Sequence, residues 1–221
     1  MDGSNAAYAA HTLGEIAATL PGATAVFRRH KLDFCCGGRA TLAEAAEQQG
    51  VDAAAVTAEL AALEPGANRT LPAAPEALIE HIVARYHNVH RRELPELRRL
   101  AETVEKVHAG HPAVPAGLSA ILGRMTEELE VHMQKEEQVL FPMMRRGGNP
   151  MIVHPIGMMR REHDDHGATL RRLSALTDDF QPPTEACGTW QALYKGLQKL
   201  TDDLMEHIHI ENNILFPRFG G

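Results

Sequence analysis

The amino-acid sequence predicts an all-α protein, a small N-terminal helical domain followed by an antiparallel four-helix bundle. Three observations carry that prediction. Thr12-Leu-Gly-Glu15 and Thr41-Leu-Ala-Glu44 both fit the Thr-x-x-Glu capping box, in which two side chains satisfy orphan backbone donors at a helix start. Four long stretches after residue 75 repeat apolar residues at helical spacing and are separated by Gly/Pro loops. No strand signal competes with them.

Taken in order, the Thr12 box opens a short helix that stops near Pro21-Gly22, and a second helix is expected from Ala23 to Lys31. The turn D-F-C-C-G-G follows, then the Thr41 helix as far as Gly50 and a last one from Ala53 to Leu63. Residues 1–64 thus form the N-terminal domain. The stretch E-P-G-A-N-R-T-L-P-A-A-P is rich in Pro, Ala and Gly without apolar period, which makes 65–75 a linker. The bundle, 76–221, takes helices at roughly 75–109, 115–146, 155–179 and 184–216, with Pro95 expected to kink or split the first.

Composition excludes several functions. With 221 residues, a net charge of −7 and acidic and basic residues interspersed, the chain has ample apolar content for a core and no basic stripe for nucleic acid. No apolar run approaches the roughly 20 residues of a membrane helix, and M-D-G-S-N-A-A lacks the positive flank of a secretory signal, so a soluble cytoplasmic protein is expected. Three cysteines, two of them adjacent, make a poor disulfide framework and read as thiols.

The chemistry lies in a repeat. His132 to Pro142 reads H-M-Q-K-E-E-Q-V-L-F-P, and His207 to Pro217, 75 positions on, reads H-I-H-I-E-N-N-I-L-F-P. Residues four apart share a helix face, so His132 with Glu136 and His207 with Glu211 each form a two-ligand blade. With 13 His and 20 Glu, about one His-x-x-x-Glu pair is expected by chance. Three occur, and the glutamate of the third, His11 with Glu15, already belongs to a capping box. R-Y-H-N-V-H at Arg85 to His90 is likewise echoed by R-E-H-D-D-H at Arg161 to His166, which adds His87 and His163.

Four imidazoles and two carboxylates overfill one tetrahedral zinc but suit two metals bridged by the glutamates. The thiolate-free N/O set fits iron, and manganese or zinc less specifically. Two iron ions per chain are expected, with positions left for an oxo or hydroxo bridge and a small diatomic ligand. A zinc-stabilised bundle without redox role is the bland alternative. His90 and His166, one turn beyond the candidate ligands, rank as outer residues or exposed ones. Glu128 and Glu162 are assigned to a solvated face in preference to an outer-ligand role.

In D-F-C-C-G-G, Cys35 and Cys36 precede the Thr41 helix start, a placement expected to lower their pKa and favour thiolate chemistry. The competing reading makes them small buried hydrophobes. Cys187 reads as incidental, and Met143, Met144, Met158 and Met159 as core filler.

These motifs together resemble the iron–sulfur cluster repair di-iron proteins, the repair-of-iron-centres family, over nearly the whole chain. The resemblance implies a Cys-Cys-Gly-Gly domain joined to a hemerythrin-like bundle, with ligands at His87, His132, Glu136, His163, His207 and Glu211. It implies restoration of iron–sulfur clusters damaged by nitric oxide or oxidants, with Cys35 and Cys36 contributing. The partners expected are damaged iron–sulfur proteins and nitric oxide or oxygen, with a homodimer left open. An iron donor is expected ahead of a turnover enzyme. The alternative is a nitric oxide or oxygen buffer, sensor or nitric oxide reductase at the same site.

Overall fold

The computed structural model describes residues 8–63 and 71–220, so residues 65–70 of the expected linker lie outside the described ones. Among the described residues the regular structure is helical, apart from one isolated backbone bridge between Thr12 and Thr41. No helix among them is long and apolar enough to cross a membrane. By internal packing the chain divides into two compact units, residues 1–73 together with 205–221, and residues 74–204.

The first unit contains α1 (Leu13–Thr19), α2 (Ala23–Arg29), α3 (Leu42–Gln49) and α4 (Ala53–Ala61). Both capping boxes form. Glu15 Oε2 accepts from the Thr12 amide at 3.0 Å and Glu44 Oε2 from the Thr41 amide at 2.8 Å, while each threonine hydroxyl accepts from the N3 amide at 3.2 Å. Helices this short are marginal alone, so tertiary packing holds them. Their core of Leu13, Ile16, Phe27, Phe34, Leu42 and Leu60 is completed by Ile208, Leu215 and Phe216 from the far end of the chain.

The second unit is the helix bundle. Its first arm is α5 (Pro75–Ile82), a wide π turn (Val83–His87) and α6 (Asn88–Val107). The second arm is α7 (Leu118–Lys135), a π turn (Glu136–Leu140) and α8 (Phe141–Arg145). Then come α9 (Val153–Leu176) and α10 (Gly188–His209). The last turns of α10 and the π turn after it (Ile210–Leu215) belong to the first unit. Leucines such as Leu78, Leu94, Leu122, Leu129, Leu173, Leu193 and Leu200 fill the bundle core with Trp190. A Cβ at Gly196 would stand 2.5 Å from Leu97 Cδ2, so glycine there lets α10 approach α6 closely.

Two expectations are corrected. The first arm is not split at Pro95: α6 runs through that residue, and the departure from α geometry falls earlier, at 83–87. Pro95 is on the exposed face, where the carbonyl displaced by its ring can turn to water. Met158 is not core filler, being 45% exposed beside the 62% exposed Met151, whereas Met144 and Met159 are buried.

Candidate metal centre

All six residues singled out by the repeat are buried. His87, Glu136, His207 and Glu211 are 0% exposed, and His132 and His163 are 1% exposed. Within each blade the i,i+4 spacing works as the sequence requires: His132 Nε2 lies 3.4 Å from Glu136 Oε1, and His207 Nε2 lies 3.3 Å from Glu211 Oε1. His87 Nε2 reaches Glu136 Oε2 at 3.4 Å, and His163 Nε2 stands 3.1 Å from His132 Nε2.

The ligand atoms fall into two groups, each within 4.8 Å. One is His87, Glu136, His207 and Glu211; the other is His132, Glu136, His163 and Glu211. Each group draws one histidine from each sequence repeat, and both share the two carboxylates. Buried carboxylates are costly without nearby positive charge, and neutral imidazoles cannot supply it. Two metal ions would, and the donor set of imidazole and carboxylate suits them.

Local backbone geometry serves the same end. A π turn ends at His87, a second begins at Glu136 and a third contains Glu211. Such wide turns are rare and cluster where function requires them. The repeated Leu-Phe-Pro gains a physical reason here. In an α-helix Pro142 would collide with the carbonyl four residues back, and a wide turn placed just before it relieves that clash. Pro142 therefore does not end its helix, which continues to Arg145.

Two acids orient the imidazoles. His87 Nδ1 is 2.7 Å from Glu137 Oε1 and His132 Nδ1 is 2.9 Å from Glu162 Oε2. A proton held on each Nδ1 leaves Nε2 as the lone-pair face toward the shared glutamates, the arrangement by which carboxylates fix ligating histidines. The His87 hydrogen bond holds the Glu137 carboxyl below the usual range, helped by Arg91. The His132 hydrogen bond, helped by Lys135, brings Glu162 down to about 2. Arg91 binds both Glu130 and Glu137, and Lys135 binds Glu162 at 2.6 Å, which anchors the acids in turn.

These contacts correct the assignment of Glu162 to a solvated face. Glu128 is exposed, as that assignment has it. Glu137 was missed, and the only signal for it was its place beside Glu136. His90 and His166 are buried at 0% and 4%, not exposed. His166 stands edge-on to His132 at 5.1 Å, and burial, the largest cause, with the neighbouring His132 and His163 imidazoles adding to it, pushes its pKa down to about 3.

In the first unit, Cys35 is buried and Cys36 half-buried, with their sulfurs 3.7 Å apart. The expectation of a lowered Cys35 pKa is overturned: the hydrogen bond with Cys36, followed by burial, pushes that thiol well above its ordinary value. Proximity to a helix start does not offset desolvation. The turn is held by the stretch following Glu211, since Asn212 Nδ2 donates to the Cys35 carbonyl and Asn213 Nδ2 to the Phe34 carbonyl, both at 3.1 Å. Asn213 also meets His209 Nδ1 at 2.9 Å. Nothing in the local sequence marks His209, Asn212 and Asn213 for this role, because their partners are distant in the chain.

Comparison with known proteins agrees with this geometry. Residues 78–219 match the Hemerythrin HHE cation binding domain, and residues 9–64 match a domain of unknown function, DUF542. The chain is 49% identical to the iron-sulfur cluster repair protein YtfE of Escherichia coli O81 (strain ED1a), covering 96% of this chain and 97% of the relative. It is 48% identical over the same shares to the protein of that name from Escherichia coli O6:K15:H31 (strain 536 / UPEC) and from Escherichia fergusonii.

Proposed function

Because the chain belongs to the hemerythrin HHE cation-binding family, and within it to the iron–sulfur cluster repair proteins, we propose that it repairs damaged iron–sulfur clusters by giving up iron from a two-iron His/Glu centre. The observation that carries this reading is the sharing of Glu136 and Glu211 by both ligand groups. Were two ions held there, each would depend on the same two side chains, and protonation or withdrawal of either carboxylate would loosen both.

His87, His132, His163 and His207 would supply the imidazoles, with Glu137 and Glu162 holding two of them in the metal-facing tautomer. Bound iron supplies Lewis acidity and redox change, and the chain's own residues decide how firmly it is kept. The clients are damaged iron–sulfur proteins, and Cys35 and Cys36 are the thiols that take part from the first unit. Nitric oxide is the stress to which the activity answers.

The test is transfer of label. Protein loaded with ⁵⁷Fe is mixed anaerobically with an unlabelled, nitric-oxide-damaged iron–sulfur enzyme, the two are separated, and Mössbauer spectra of each are recorded. Label in a rebuilt cluster is the expected result. Label retained as a coupled two-iron signal on this protein would favour a nitric oxide or oxygen binder. Glu136→Ala is expected to lose both tight iron and repair, and full repair by that variant would overturn the shared-carboxylate mechanism.

A further inference from the structure

We propose that Asp33, Cys35 and Cys36 form a second metal site, a dithiolate–carboxylate pocket that takes one thiophilic divalent ion of the zinc(II) or iron(II) kind. One ligand atom from each residue lies within 4.8 Å of the others. The two sulfurs are 3.7 Å apart, and Asp33 Oδ1 is 3.3 Å from Cys35 Sγ. A tetrahedral ion with metal–sulfur bonds of about 2.3 Å and a metal–oxygen bond of about 2.0–2.2 Å sets its sulfurs about 3.8 Å apart and sulfur and oxygen about 3.5 Å apart. The three ligands therefore stand close to coordinating distances already.

The rest of D-F-C-C-G-G reads as the frame of this pocket. Asp33 Oδ1 accepts the Cys36 amide at 2.9 Å, which folds the carboxylate over the thiols. A Cβ at Gly37 would lie 2.8 Å from the Asp33 carbonyl oxygen and 3.3 Å from Asp33 Cβ, so any other residue there would push the acid away. A Cβ at Gly38 would lie 2.7 Å from the Phe34 carbonyl oxygen and 2.9 Å from Asn213 Oδ1, the residue that pins the turn from outside. The motif is explained as a whole: two thiols and an acid as ligands, and two glycines that allow them to converge.

Chemistry selects the occupant. Two sulfurs favour soft or borderline ions over magnesium or calcium, in contrast to the thiolate-free His/Glu groups. Cys35 is buried while Asp33 and Cys36 are half-buried, so an ion can enter from the Cys36 side and keep a fourth position for water or an incoming ligand. Binding exchanges two thiol protons for one dication, and two protons leave per ion. The inference does not depend on the repair reading.

Cobalt(II) is the probe, because thiolate ligation gives it an intense sulfur-to-metal absorption that imidazole and carboxylate do not. Full-length, reduced protein carrying Cys187→Ala, loaded with iron and then passed over a chelating resin until its thiol site is free of metal, is titrated anaerobically with cobalt(II). The expected result is one equivalent saturating the sulfur band with two protons released. Cys35→Ser should abolish the band, and Asp33→Asn and Gly37→Ala should weaken cobalt at least tenfold with circular dichroism unchanged. Competition by zinc(II) and by iron(II) then ranks the two ions. A reduced protein with no sulfur band, or one whose cobalt affinity is unmoved by Cys35→Ser or Asp33→Asn, overturns the proposal, as does a Cys35–Cys36 disulfide that persists under reductant.

Discussion

At the scale of single residues, two of the six candidate ligands, His87 and His132, are each held by an acid that bonds the ring nitrogen turned away from the shared glutamates. Removing such an outer acid typically costs about 10–100-fold in metal affinity. Glu137→Gln and Glu162→Gln are expected to fall in that range in a chelator competition titration, while their helices, 29% and 24% exposed at these side chains, keep their ellipticity. Asp203 tests a purely structural ion pair. It accepts from Arg85 at 3.1 and 2.6 Å and from Lys199 at 2.8 Å. Burial, the largest single influence, draws its carboxyl upward, but the Arg85 and Lys199 bonds together overcome this and leave it below the usual range. A depressed carboxyl stabilises the fold above its unfolded value of about 3.8, and that contribution is lost as pH falls below it. Asp203→Asn should therefore lower stability by about 2 kcal/mol at pH 7 in urea titration, and by little in acid. The i,i+4 blades were legible because both members lie on one helix. Glu137 and Glu162 were not, since what separates them from solvated acids is an imidazole on another helix.

At the scale of elements, the three π turns are the features that sequence periodicity could not reveal. Apolar spacing is helical on both sides of each turn, and a turn of five or six residues is too short for a pattern count to separate its period from that of the flanking helix. The turns nevertheless carry His87, Glu136 and Glu211 and lead into each Leu-Phe-Pro segment, so they set which way these residues face. Val139 is 51% exposed and lies within the turn Glu136–Leu140, so its deletion removes a residue without removing core contacts. The shortened segment is expected to return to ordinary α geometry, which brings the Pro142 ring against a carbonyl and rotates Leu140 and Phe141 by about 100° relative to Glu136. Helicity should survive in circular dichroism while bound iron falls well below that of the parent chain. Equal iron in both would show that the wide turn is dispensable to the centre.

At the scale of the whole molecule, the chain closes on itself. Residues 205–221, which carry His207 and Glu211, pack in the same unit as the N-terminal helices. Composition and capping motifs locate those helices, but nothing local announces that Phe34 meets His209 ring to ring at 5.6 Å or that Asn212 holds the Cys35 carbonyl, because these contacts join residues more than 170 positions apart. The consequence bears on how the thiols can be assayed. Deleting residues 1–64 would do more than remove two sulfurs: it would bare Ile208, Leu215 and Phe216, all 0% exposed, and strip Asn212 and Asn213 of backbone acceptors beside Glu211. Exposing three large apolar side chains costs several kcal/mol, at about 1.5–3 kcal/mol for each. The truncated chain should thus melt at lower temperature and yield its iron to a chelator sooner than the full chain, whereas Cys35→Ser with Cys36→Ser should keep both properties. Repair lost in the truncation but retained in the double serine variant would assign the defect to a loosened metal helix, and loss in both with iron retained in the serine variant would assign it to the thiols.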